Sequence, residues 1–296
     1  MTPRVSFGLP VFNGQTYIRE AIESVLAQDM TDLELVISDN GSTDTTEQIC
    51  RDAAARDSRV RYYREEINRG GDWNFRRVQE LSSAPYFTWI ASDDLKSVDF
   101  ARMCLDVLEG AGPDVVMAYS RTQLIGARGE FLADLQDAHL RLDEPAAHVR
   151  VANLLRAQAS PIFYGLIRVD ALRRTRGFRR CIAPDIVLLT ELACVGRLRL
   201  ADFQGFYQRR HPEQVSAQRS EQMKFYSPNG RARFAFQHSL VNVEILRGIA
   251  ASDLDLRERT SCLAAAWPNW ILPRWRAVAA DVRTVVAPRP RAQGTG

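Results

Sequence analysis

Short apolar runs alternate along the first hundred residues with stretches whose apolar positions recur every three or four residues. Val5 to Leu9 is a run closed by Pro10, the pattern of a buried strand. Ile18, Ala21, Ile22, Val25 and Leu26 follow at the spacing of an amphipathic helix. Leu33 to Ile37 is a second strand, stopped by the polar cluster Ser38-Asp39-Asn40-Gly41-Ser42-Thr43-Asp44. A helix carrying Ile49, Cys50 and Ala53 comes next, with Thr43 or Asp44 as its N-cap. Val60 to Tyr63 is a third strand, Asn68-Arg69-Gly70-Gly71 a turn, and Asp72 to Leu81 a helix. The run Tyr86-Phe87-Thr88-Trp89-Ile90-Ala91 is aromatic and β-branched enough for a fourth, buried strand. This alternation predicts βαβ units, a mostly parallel Rossmann-like sheet, and polar loops gathered along one sheet edge.

Beyond Asp94 the pattern loosens. A helix over Asp99 to Leu108, a strand over Val115 to Tyr119 and a hairpin within 120–140 are expected. A helix over Ala146 to Ala157 follows, then a strand over Ile162 to Val169 in which Gly165 marks a bulge or a close backbone approach. Ile186 to Val195 reads as helix and Leu198 to Tyr207 as extended. Helices dominate from about Ser220, and the last ten residues, rich in Pro, Gly and Arg, read as a disordered tail. The division is an α/β domain over 1–215, with halves 1–98 and 99–215, a helical extension over 216–286 and a tail over 287–296.

Composition narrows the function classes. Over 296 residues, 46% hydrophobic and 25% charged content suit a soluble globular protein. A net charge of +3, from 39 basic and 36 acidic residues, is too small an excess to argue for nucleic acid. Five scattered cysteines form no C-x-x-C pair, which points to a reducing compartment rather than a zinc site or a disulfide framework. No signal-peptide pattern opens the chain and no apolar run reaches the roughly 18 residues of a spanning helix, so a cytoplasmic protein is expected, free or peripheral at the inner face of the membrane.

Candidate chemistry lies in the loops. Ser92-Asp93-Asp94-Leu95 puts two carboxylates at the end of the fourth strand, where open α/β sheets bind ligands. Hard cations take one or two such carboxylates together with substrate phosphates, so Asp93 and Asp94 suit a metal-held nucleotide diphosphate. The plainer reading is a strand-to-helix turn with Asp94 or Ser97 as helix cap. Asp39 can accept hydrogen bonds from a base or ribose, and Ser42 opens a helix whose backbone N–H groups favour anions. The G-x-G-x-x-G and Walker motifs are missing, which disfavours plain dinucleotide binders and P-loop ATPases.

Pro10-Val11-Phe12-Asn13-Gly14, Ser38 to Asp44, Asn68-Arg69-Gly70 with Asn74, and Ser92-Asp93-Asp94 together resemble the N-terminal half of family-2 inverting glycosyltransferases of the GT-A fold. Pro184-Asp185 with Leu189, then Tyr207-Gln208-Arg209-Arg210-His211, resemble the acceptor-side half. The resemblance implies a GT-A-like α/β domain. It implies a nucleoside-diphosphate sugar donor, an acceptor hydroxyl on a glycan, lipid-linked sugar or small molecule, and Mg²⁺ or Mn²⁺. It places Pro10, Phe12, Asn13, Asp39, Ser42 and Asn68 at the nucleotide, Asp93 beside the donor sugar, Asp94 as the main metal ligand, His211 near the diphosphate or the metal, and Asp185 as catalytic base. The chain departs from the family at Asn40, Ser92 and Pro184, where an acid is usual, and it lacks the Gln-x-x-Arg-Trp signature of processive synthases. A sugar-1-phosphate nucleotidyltransferase and a non-catalytic nucleotide-sugar-binding module are the rivals.

Three further features stay open in the sequence. Arg173, Arg174, Arg176, Arg179 and Arg180 read as a solvated basic loop or a phosphate grip. Trp267, Trp270 and Trp275 read as core. Ile271, Trp275, Val278, Val282, Val285 and Val286, flanked by Arg274, Arg276 and Arg283, make an amphipathic face for the domain, a second copy or a membrane surface.

Overall fold

The computed structural model describes residues 2–158, 160–212 and 236–286. Strands β1 (Val5–Val11), β2 (Leu33–Asp39), β3 (Val60–Arg64) and β4 (Tyr86–Trp89) alternate with helices α1 (Ile18–Leu26), α2 (Thr46–Arg56) and α3 (Gly71–Leu81). β1 pairs in parallel with β2 and β4, and β2 with β3. Both β1 and β2 are buried along their whole length. Parallel strands are covered on both faces, which is why these segments read as continuous apolar runs. Ile18, Ile22 and Val25 form the buried stripe of α1 with Ala21, and each such aliphatic side chain contributes about 1.5–3 kcal/mol on leaving water. At Gly8 of β1 a Cβ would stand 2.7 Å from the Phe87 ring and 2.9 Å from Val78, so glycine lets the sheet and α3 close on each other.

The second half contains β5 (Leu95–Lys96), α4 (Phe100–Gly110), β6 (Val115–Ile125), β7 (Phe131–Asp134), α5 (Ala147–Ala157), β8 (Leu166–Arg168), α6 (Val169–Arg173), α7 (Pro184–Val195) and β9 (Arg197–Arg209). The strand order is β3-β2-β1-β4-β8-β6-β9-β5, with β7 on β6 as the expected hairpin. The parallel pattern holds for β3-β2-β1-β4 and for β6 with β9. β8 runs antiparallel to β4 and β6, and β5 antiparallel to β9, so the sheet is mixed beyond β4. The strand expected over Ile162 to Val169 shortens to β8, because Ser160–Tyr164 is a 3₁₀ turn. Tyr164 gives its carbonyl to Thr88 Oγ1 and Lys96 Nζ instead of to the sheet ladder. Gly165 does mark a close approach, since a Cβ there would lie 2.6 Å from the Ala118 carbonyl oxygen.

At the C-terminal end stand α8 (Gln237–Ala250), α9 (Leu256–Ala266) and α10 (Trp275–Val286), with a wide turn at Trp267–Ile271 and a tight one at Leu272–Arg274 between the last two. The sequence between β9 and α8 over 213–235 and the tail over 287–296 lie outside the described residues. Val241, Ile245, Ile249, Cys262, Ala266 and Trp270 belong to one apolar cluster with Leu154, Leu155, Leu189 and Leu192. The helical extension thus shares its core with α5 and α7 rather than forming a separate unit.

The arginine run fastens this junction. The Arg176 guanidinium donates to Glu191 Oε1 at 2.6 and 2.8 Å and to Glu244 Oε2 at 2.9 Å, while Arg179 pairs with Glu244 and Arg174 with Asp253. Glu191 and Glu244 are buried, so Arg176 is the counter-charge that lets two carboxylates leave water at the α7–α8 contact. Neither a solvated loop nor a phosphate grip describes Arg176.

Candidate functional site

The loops after β1, β2 and β4 gather at one edge of the sheet, and hydrogen bonds between them build the site. Asn13 sits in the left-handed region at φ 52°, and its Oδ1 accepts from Thr43 N. Ser42 Oγ accepts from Asn13 N at 2.9 Å, and Thr46 Oγ1 from Gly14 N. The β1 loop is thereby stitched to the entrance of α2. Gly41, at φ 79°, makes the turn, and a Cβ there would meet the Ile67 backbone at 3.0 Å. Asn40 Nδ2 donates to Asn68 Oδ1 at 2.9 Å and its Oδ1 accepts from Arg69 N, which brings the Asn68 turn beside the β2 loop. Asn74, in the first turn of α3, donates to the Val11 and Ser38 carbonyls at the ends of β1 and β2. The structure therefore brings together Asn13, Asp39, Ser42 and Asn68, with Pro10 at the end of β1 and Phe12 exposed beyond it.

Asp39 faces inward. Its carboxylate accepts from Ser42 N at 2.8 Å and Tyr62 OH at 2.7 Å, with Arg64 Nε at 3.5 Å, and it is fully buried. In this arrangement it holds the shape of the Ser42 loop.

The second cluster follows β4. Asp94 is buried, and its Oδ1 accepts from Arg209 N at 2.9 Å. Asp93 Oδ2 lies 3.0 Å from His211 Nε2. The pairing of β5 with β9 places Leu95 opposite Tyr207, so the end of β9 delivers Arg209 and His211 to the acidic pair. Burial, and then the neighbouring Asp93 charge, push the Asp94 carboxyl well above the usual carboxylate range. Neither Asp94 nor Ser97 caps the next helix; Asp99 holds the N-cap position of α4, and Ser97 Oγ donates to it.

Arg209 is the organising residue that the sequence left without a role. Its guanidinium is buried and donates from Nε to the Asp93 carbonyl, from Nη1 to the Ala127 carbonyl and from Nη2 to Glu20 Oε2 at 2.7 Å, over the Tyr17 ring. Tyr17 also packs on the His211 ring at 4.8 Å. One side chain thus ties α1, the Asp93 backbone and the β6–β7 turn. Its position in Tyr207-Gln208-Arg209-Arg210-His211 was the available signal, but its burial was not legible.

Lys96 is a second missed residue. Its ammonium is buried against the Phe100 ring face at 3.5 Å, donating to Thr88 Oγ1 and the Tyr164 carbonyl. Burial pushes it down from 10.5 to about 7. The unfolded chain therefore holds a proton that the folded chain releases between about pH 7 and 10.5, so this group makes stability rise with pH across that window. Lys96→Met is expected to flatten the rise. Melting curves of both proteins at the two ends of the window check it, and an unchanged pH slope contradicts it.

Asp185 occupies a separate element. It is half-buried in the first turn of α7, after Pro184, and Ala183 rather than Asp185 is the N-cap residue. α7 packs on the Ser160–Tyr164 turn, whose Tyr164 ring stacks on Phe206 of β9 at 4.8 Å. Glu191, the other acid on α7, is committed to Arg176 and is no candidate base.

Among the described residues no group of three or more His, Cys, Asp or Glu side chains forms a metal cage. Mg²⁺ and Mn²⁺ beside a diphosphate need few protein ligands, because phosphate oxygens and water complete the shell.

Residues 6–132 match the family model for glycosyl transferase family 2. This stretch belongs to that family. The glycosyltransferase domain so defined contains β1 to β6 and the Asp93–Asp94 pair. An uncharacterised glycosyltransferase of Rickettsia bellii is 29% identical over 167 residues, 56% of this chain and 22% of that protein. The chain spans less than half the length of the curated relatives it matches. S. aureus TarS, crystallised with UDP-GlcNAc, superposes with a TM-score of 0.66 at 15% identity, over 94% of this chain and 76% of that one. The mannosyltransferase PcManGT of Pyrobaculum calidifontis, in complex with GDP-Man and Mn²⁺, gives 0.55 at 19% identity, over 97% and 81%. These likenesses carry the fold, which is the GT-A arrangement, with the helical C-terminal part in addition.

Proposed function

We propose that the protein is a non-processive, inverting glycosyltransferase that moves a sugar from a nucleoside-diphosphate sugar to an acceptor hydroxyl. The family domain and the names of its relatives support the reaction class. UDP-GlcNAc on TarS and GDP-Man with Mn²⁺ on PcManGT support a nucleotide-sugar donor. The observation that carries the reading is the Asp93–Asp94–His211 cluster at the sheet edge, where a buried carboxylate is held against its neighbour. A buried carboxylate whose charge is disfavoured by burial and by its neighbour fits a divalent cation, and Asp94 with Asp93 would hold it beside His211.

Mg²⁺ or Mn²⁺, when held there, would supply positive charge to the departing diphosphate. Pro10, Phe12, Asn13, Ser42 and Asn68 line the nucleotide side, and Asp39 sets the loop that presents Ser42. Phe12, exposed at the end of β1, offers a ring to the nucleotide. The acceptor oxygen attacks the anomeric carbon from the face opposite the diphosphate, and Asp185 takes its proton. Arg209 keeps Asp93 and Asp94 aimed by gripping the backbone of one and the side chain of the other.

The test is thermal melting with UDP, GDP or dTDP in the presence of Mn²⁺. One diphosphate is expected to raise Tm by more than the others, and ligand at about 100 times its Kd stabilises by about 2.7 kcal/mol. No shift with any of the three, with or without metal, contradicts the reading.

A further inference from the structure

The C-terminal turns present an apolar patch that the catalytic reading does not use. Trp270 turns inward, donating from Nε1 to Asn242 Oδ1 at 3.0 Å, and Ile271 packs on the same core. Trp267, Leu272 and Trp275 do not: they are 57%, 55% and 59% exposed. The sequence reading of these tryptophans as core holds for Trp270 alone. Pro268 and Pro273 lie within the wide and tight turns between α9 and α10, so the chain bends there and the inward and outward tryptophans part company.

The segment's own charged side chains at the surface have one sign. Arg274 lies over the Trp270 ring at 3.3 Å, and Arg276 lies 5.4 Å from the centre of the exposed Trp275 ring. The acid of this segment, Asp281, is buried and accepts from Ser239 N and Oγ. Of the described side chains from Trp267 to Asp281, the charges left at the surface are therefore arginines. Two symmetric copies meeting through this segment would set arginine against arginine, with no exposed acid of the segment between them. Exposed indoles beside arginines suit the boundary between acyl chains and anionic headgroups, where the ring is half-wet and the guanidinium meets phosphate.

We infer that Trp267, Leu272 and Trp275, with Arg274 and Arg276, form a docking surface for an anionic lipid bilayer. The inference rests on the placement of these side chains and stands or falls apart from the reaction proposed above. The face differs from the helical stripe read in the sequence: Ile271 belongs to the core, and the contact is made by the turns before α10 and by its first two residues.

The experiment is flotation of the full-length protein with vesicles of phosphatidylcholine alone or mixed with phosphatidylglycerol, at low and high salt. Binding to the mixed vesicles, weakened by salt, is expected. Trp267→Ser combined with Trp275→Ser is expected to weaken it about tenfold, the change that about 1.4 kcal/mol of lost burial produces. Both indoles are exposed, so the double variant keeps its melting temperature, and that measurement separates lost docking from lost fold. Failure to float with either vesicle overturns the inference, as does flotation indifferent to the double substitution. A wild-type dimer that the double substitution converts to monomer, without flotation, assigns the patch to a second copy and overturns it equally.

Discussion

Asp94→Asn is expected to stabilise the ligand-free protein while removing its metal-dependent affinity for nucleoside diphosphate. Asp94 is buried beside Asp93, and its carboxyl is pushed up by burial first and by that neighbour second. A carboxyl with a raised folded-state pKa keeps its proton longer folded than unfolded. Stability therefore falls as pH rises from the usual carboxylate value, near 3.9, through the raised one. Above both, the whole penalty is present. Asparagine carries no charge, and its Oδ1 still accepts from Arg209 N. The variant should melt higher at neutral pH, by about 2–4 °C for each kcal/mol relieved. The difference should vanish as pH falls toward about 4. Calorimetric titration with Mn²⁺ and the preferred diphosphate should show binding lost. A variant that melts lower at neutral pH, or that binds as the wild type does, contradicts the role given to Asp94.

Asp185→Asn is expected to slow sugar transfer by roughly a hundred- to ten-thousandfold, the usual loss when a positioned base is removed. Asparagine has nearly the same shape, and Ala183 rather than Asp185 is the cap of α7, so the helix should persist. Donor affinity should stay near the wild-type value, because the side chain is assigned to the acceptor's proton and not to the diphosphate. Glu191 cannot take over: Arg176 N and the Arg176 guanidinium hold its carboxylate at 2.6–2.8 Å. Steady-state rates and donor titration on the same preparation decide between roles. An undiminished rate removes Asp185 as base, and lost donor affinity makes it a binding residue.

The parts of the fold that were legible are those where one residue pattern has one structural solution. Val5 to Leu9 and Leu33 to Ile37 are uniformly apolar because parallel strands are covered on both faces. Ile18 to Val25 keeps the spacing of a helix with one buried stripe. Gly41 and Asn13 could be placed in loops, and the loops on one edge, because strands alternate with helices. β5, two residues long, carries too little periodicity to read, and the pattern that gave β8 as part of a strand over Ile162 to Val169 does not set its direction, so its antiparallel pairing with β4 and β6 was not legible.

Charged residues were the least legible. Arg176, Arg209 and Lys96 look like surface residues in a string of letters. Each is instead a cation drawn inside by partners far away in sequence: Glu244 for Arg176, Glu20 for Arg209, the Tyr164 carbonyl for Lys96. Asp39 shows the same limit from the other side. Its place at a strand end was clear, but its commitment to Tyr62 and Ser42 depends on β3 lying beside β2.

Turnover is the most direct test of the central claim that the strand-end cluster serves transfer from a nucleotide sugar. UDP-, GDP- and dTDP-sugars are each incubated with the protein and Mn²⁺, with and without a mixture of hydroxyl acceptors. Nuclear magnetic resonance follows the anomeric proton and the released nucleotide. The account predicts nucleoside diphosphate released from at least one donor, a new glycoside of the opposite anomeric configuration, and loss of both with chelator or with Asp94→Asn. A product of retained configuration contradicts it. So does nucleoside triphosphate formed when pyrophosphate is added, which marks a nucleotidyltransferase, or a full panel of donors left intact.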